Sequence, residues 1–149
     1  MNLMCQDEVE FGCRVLVGHI GGENEYIGVA EISNVEFVNC GQRGFTENYD
    51  PRFSLAFLDV GDTTDHGSYV KKCAFNVNYN VAVGVMATNN LLLEDNVIYR
   101  AFTDGVKDTG VANEWNRCAF AHIYNATMLN NYLECYDLVT QESRCLRPF

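Results

Sequence analysis

Only two prolines, three histidines and no low-complexity tract occur in the chain. Without a Pro- or Gly-rich linker, its 149 residues form one domain, long enough for a core and too short for two comfortable ones. No basic cluster exceeds Lys71-Lys72, and 20 acidic against 10 basic side chains leave a net charge of -10. Nucleic acid is thereby excluded as a partner, since phosphate binding needs a concentrated positive surface. Acidic glycans are repelled as well, unless a local basic groove or a bound cation intervenes. No stretch approaches the ~18 uninterrupted apolar residues of a membrane span. The opening MNLMCQDEVEF also lacks the basic start and apolar centre of a signal peptide. Taken alone, the chain reads as soluble and unsecreted.

Zinc is disfavoured because no CxxC pair is present. The seven cysteines, at 5, 13, 40, 73, 118, 135 and 145, are too sparse for a disulfide scaffold, and their odd number leaves a thiol free or paired to another chain. Phosphate-loop and dinucleotide fingerprints are absent too: GHIGG (Gly18 to Gly22) runs into ENEYIG rather than opening a helix. Gly41, Gly44, Gly84 and Gly105 read instead as sharp bends.

What is present is a 48% apolar chain with 17 Phe and Tyr residues, enough to build an ordered core. The stretch VMATNNLLLEDNVIYR, Val85 to Arg100, sets two short apolar runs on either side of Glu94-Asp95-Asn96. A helical face through Leu92, Leu93 and Val97 would also carry Asn96 and Arg100, so short strands joined at a bend are the better reading. An apolar residue, a core-facing residue three positions on and a second apolar residue two further recur as Ile32, Val35, Phe37; Val70, Cys73, Phe75; Leu93, Asn96, Ile98; and more loosely Met128, Asn131, Leu133. The last anchors are 38, 23 and 35 residues apart. The middle interval is one coil of a parallel β-helix. The longer two call for excursions, for which TENYDPRF, DVGDTTDHGS and KDTGVANEWN supply turn residues. Sixteen asparagines, 14 of them from Asn34 onward, fit a stacked solenoid or ordinary turns. Asn96 and Asn131 are the candidates for an inward asparagine ladder that satisfies peptide groups at the bends.

The segments CRVLVG (Cys13 to Gly18), IGVAEISNVEFVNCGQRGFTENYDPRFSLAFLDVGD (Ile27 to Asp62) and SYVKKCAFNVNYNVAVGVMATNNLLLEDNVIYRAFTDGV (Ser68 to Val106) resemble the β-helix region of fibrocystin-like proteins, the polycystic kidney and hepatic disease family. The same type of segment occurs in the related cell-surface hyaluronidase and cell-migration-inducing hyaluronan-binding protein. The likeness covers residues 9–108, and 109–149 diverge into one coil and a cap. It implies an all-β fold, a right-handed single-stranded parallel β-helix of the pectate-lyase-like solenoid type, as a fragment of a longer stack. It also implies an extracellular or cell-surface location within a larger membrane-anchored glycoprotein, with membrane contact only through other parts of that parent. The expected role is a non-catalytic structural or recognition module with an extracellular glycan or protein as partner. The alternative is part of a glycan-active, hyaluronan-binding or hyaluronan-depolymerising enzyme.

Chemistry-bearing residues are few. Asp59, Asp62 and Asp65, with His66, have a spacing that gathers carboxylates around Ca²⁺ in a loop, without matching a defined calcium loop; a solvated acidic loop is the plainer reading. No other cofactor is expected. Asp104 and Asp108 form a second acidic pair, and His19, His66 and His122 stand apart from any nucleophile, so no catalytic residue is assigned. Phe45, Tyr49, Phe53 and Tyr79 offer a sugar-stacking surface, though filler between coils is the stronger reading, since large aromatics are the chief filler of such stacks. Asn125 heads the one glycosylation sequon, Asn125-Ala126-Thr127.

Overall fold

In a computed structural model of the chain, the described residues are 2–4, 10–23, 25–44, 51–101, 106–121, 126–128 and 132–135. Among them there is no helix, and the strands fall into three parallel rows. The first row stacks β2 (Val15–Ile20), β6 (Leu55–Asp62), β9 (Val83–Asn89), β12 (Val106–Asp108) and β14 (Ala126–Met128). The second stacks β4 (Glu31–Ser33), β7 (Tyr69–Lys71), β10 (Leu92–Glu94), the first half of β13 (Glu114–Ala121) and β15 (Tyr132–Cys135). The third stacks β1 (Asn2–Met4), β5 (Glu36–Val38), β8 (Ala74–Asn78), β11 (Val97–Ala101) and the second half of β13. From β2 onward the chain visits the rows in the order first, second, third and then steps to the next rung, so each circuit is one coil laid on the one before. A single antiparallel strand, β3 (Tyr26–Ile27), folds back on β2.

The repeat frame read from the sequence is this register. Ile32, Val70 and Leu93 are mutual partners in the second row, as are Phe37, Phe75 and Ile98 in the third. The next rung is not Met128 to Leu133. Leu93 pairs with Trp115 and Ile98 with Phe120, so the fourth unit is Trp115, Cys118 and Phe120. Leu133 follows Trp115 in the second row, and Met128 lies in the first row beside Asp108. KDTGVANEWN is therefore part of a coil rather than an excursion, because its polar residues Asp108 and Asn113 are themselves fully buried at the corner. DVGD likewise belongs to β6, and the turn after it is confined to Thr64 to Gly67.

Between the second and third rows the chain turns in two residues: Asn34-Val35, Lys72-Cys73, Asp95-Asn96 and Arg117-Cys118. The first of each pair is left-handed, with φ of 55°, 53°, 56° and 51°. Asn and Asp accept this conformation because a short side chain bonds locally, which explains two of the four. The second points inward, and Cys73, Asn96 and Cys118 are all buried. Outside this corner, Lys71 and Arg117 flank Glu94, and Arg117 Nε and Nη2 bind Asp95 at 2.6 and 3.0 Å, so opposite charges alternate from rung to rung.

Period-two alternation sends Val17, Phe57 and Val85 of the first row inward to meet the anchors of the other two rows. Phe37 and Phe75 stack with centroids 4.6 Å apart and planes 8° from parallel, the rung spacing turning in-register rings into a pile. Side chains fill the interior, so any binding surface lies on the outer faces.

Candidate functional site

The buried polar side chains work for the coil. Asn96 Oδ1 accepts from the Cys73 amide at 2.9 Å, while its Nδ2 donates to the Val70 carbonyl at 2.9 Å. Both partners lie on the preceding rung, so this amide ties two coils at their corner. Asn131 lies outside the described residues. One rung on from Asn96 the same corner holds Cys118, with its thiol near the Leu93 and Asn116 carbonyls.

Asp108, one of the acidic candidates, is fully buried. Its Oδ2 accepts from Trp115 Nε1 at 2.7 Å, and its Oδ1 from Asn113 Nδ2 at 2.9 Å and the Gly110 amide at 3.0 Å. Asn113 in turn donates to the Thr88 carbonyl at 2.9 Å and accepts from the Leu91 amide at 2.8 Å, linking this knot to the rung before. A carboxylate so enclosed has no access to substrate. Asp104 lies outside the described residues.

The triad Asp59, Asp62, Asp65 is not gathered. Asp62 Oδ1 accepts from the Thr64 hydroxyl at 2.6 Å, the Thr64 amide at 2.9 Å and Asn90 Nδ2 at 2.9 Å. The two Thr64 bonds, then Asn90, hold its carboxyl down at about 2. Asp59 stands exposed at a left-handed bulge of β6, and Asp65 is exposed in the following turn. Among the described residues no three His, Cys, Asp or Glu side chains come together as a metal cage requires.

His66 sits in that turn, its amide donating to the Thr63 carbonyl. His19 Nε2 lies 3.1 Å from Glu25 Oε1, outside hydrogen-bond geometry. His122 lies outside the described residues, as do Phe45, Tyr49 and the sequon residue Asn125. Of the other two aromatic candidates, Tyr79 is buried, and the half-buried Phe53 ring covers Gly84 so closely that a Cβ there would stand 2.2 Å from it. Gly84 thus seats a packing ring, and both aromatics are engaged in packing.

A groove of about 990 Å³ follows the outer face of the first row. Gly18, Leu58 and Met86 are in register along it, one per rung, and the groove ends at Lys107 and Thr109 on the fourth coil. No sequence motif announced it, because a groove residue differs from a neighbouring outward residue only by the register that stacks it.

A family model described as CEMIP beta-helix matches residues 15–106. The mouse protein Fibrocystin-L is 43% identical over 105 residues, covering 69% of this chain and 2% of that protein. Human Fibrocystin-L is 43% identical over 109 residues, covering 71% of this chain and 2% of that protein. The chain thus spans about 2% of the length of these relatives. No solved structure matches it significantly.

Proposed function

The chain belongs to the CEMIP beta-helix family and is fibrocystin-like, and from that premise we propose that it is a non-catalytic scaffold and recognition module of a cell-surface, receptor-type protein. The observation that carries this reading is the use made of its acids. Asp108 is enclosed by Trp115, Asn113 and Gly110, and Asp62 is occupied by Thr64 and Asn90. Glycoside hydrolysis needs two carboxyl groups facing a common bond; Asp108 is buried away from any such bond, and Asp62 spends its Oδ1 on three local hydrogen bonds. VKKCAFNV and TNNLLLEDNV, parts of the Ser68 to Val106 segment whose type also occurs in the hyaluronidase relatives, supply corners and anchors of the stack.

The proposed winding is right-handed, supported by the strong preference for right-handed crossovers between parallel strands of one sheet. The proposed setting is extracellular, with membrane attachment through other parts of a parent protein; among the described residues no helix is long and apolar enough to cross a membrane. In that setting Asn125 carries an N-linked glycan, and the native protein loses mass on treatment with a glycosidase. The decisive assay incubates the chain with hyaluronan and follows polymer length. Unchanged length is the expected result; shortening at an enzyme-like rate overturns the non-catalytic reading.

A further inference from the structure

Of the eight large apolar side chains exposed among the described residues, Leu16, Ile20, Tyr26, Ile27 and Val29 fall within one short stretch around the β2–β3 turn. Three of them, Leu16, Ile20 and Val29, are 60%, 69% and 53% exposed and wall the coil-one end of the groove. Its floor continues through Leu58 and Met86, so apolar surface runs down the stack rather than across one strand. Contiguous exposed apolar surface with a polar border marks an interaction site.

The charge around it is unevenly placed. Glu25 lies 3.1 Å from His19, which lines the coil-one end, and Asp59 lines the groove at the second coil. Lys107, half-buried and paired in register with Gly84, lines the far end. Three rung spacings separate the first coil from the fourth, about 14 Å, the span of roughly four to five extended residues.

We propose that this groove binds an extended polypeptide segment whose apolar side chains lie on Leu58 and Met86 and whose Lys or Arg side chains meet Glu25 and Asp59. The acidic border favours a basic occupant, and the chain's charge of -10 draws such an occupant in. Lys107 sets the direction: the cationic end lies toward the first coil. This deepens the recognition reading above by giving the partner a chemistry.

The test is titration of the full chain with a labelled peptide of alternating leucine and lysine, beside a control with glutamate in place of lysine. The lysine peptide binds and the glutamate peptide does not, and added salt weakens the complex. Leu58→Ser combined with Met86→Ser weakens binding by more than about tenfold, as expected for losing buried aliphatic contacts. Glu25→Lys with Asp59→Lys weakens the lysine peptide while leaving the apolar floor intact. An unchanged thermal midpoint shows that both double variants stay folded. Equal binding of the two peptides, indifference to either variant, or self-association of the free chain through the groove overturns the proposal. Failure here leaves the hyaluronan result standing, so the two readings fail separately.

Discussion

At the scale of single residues, buried polar atoms carry the sharpest consequences. Asp108→Ala strands the Trp115 indole N–H inside the coil and costs about 1–3 kcal/mol or more. Urea unfolding measures this, and a cycle with Trp115→Phe isolates the coupling between the two groups. Val77 has φ of 53°, a left-handed conformation that a β-branched side chain adopts only under strain. Its partners in the same column are Asn39 and Arg100, at 53° and 54°. Val77→Asn relieves part of the roughly 1–2 kcal/mol such a conformation costs and raises the unfolding midpoint. Asp62 gives a pH signature. Its carboxyl is lowered from 3.8 to about 2 in the folded chain, so its contribution to stability is complete above pH 3.8 and is lost as pH falls toward 2. NMR titration finds its midpoint near 2, and Asn90→Ala, which removes one of the bonds responsible, moves that midpoint upward.

At the scale of elements, the corner is the repeating device. Asn96→Ala removes the acceptor of the Cys73 amide and the donor to Val70 at once, and costs about 1–3 kcal/mol in chemical unfolding. The frame of three residues that defines this corner was legible in the sequence for Ile32, Val70 and Leu93, because aliphatic anchors and short polar bends alternate there. It was not legible at Trp115. Asp108 and Asn113 look like solvent-facing turn residues until their bonds to Trp115 and to the preceding rung are seen. Composition counts a polar side chain as exposed, whereas burial depends on whether partners are in place. The groove was hidden for a different reason: Leu58 and Met86 are 28 positions apart in the chain and become neighbours only through the register of β6 on β9.

At the scale of the whole molecule, the interior thiols report on the stack. Cys40, Cys73 and Cys118 are buried; burial raises the Cys73 thiol and pushes Cys118 up to about 11. Cys73 and Cys118 occupy one column two rungs apart, about 9–10 Å, beyond the reach of a disulfide. In native buffer near neutral pH a thiol reagent leaves these two unmodified, and denaturant releases both together; modification of either in the native state would contradict a continuous stack. The order of pairing has a further consequence. Each rung from the second to the fourth is laid on the rung encoded just before it, so a growing chain leaves the ribosome with its template already made. Synthesis from the N-terminus thus offers each new turn a neighbour to stack on, and a defect in one turn acts first on the turn laid against it.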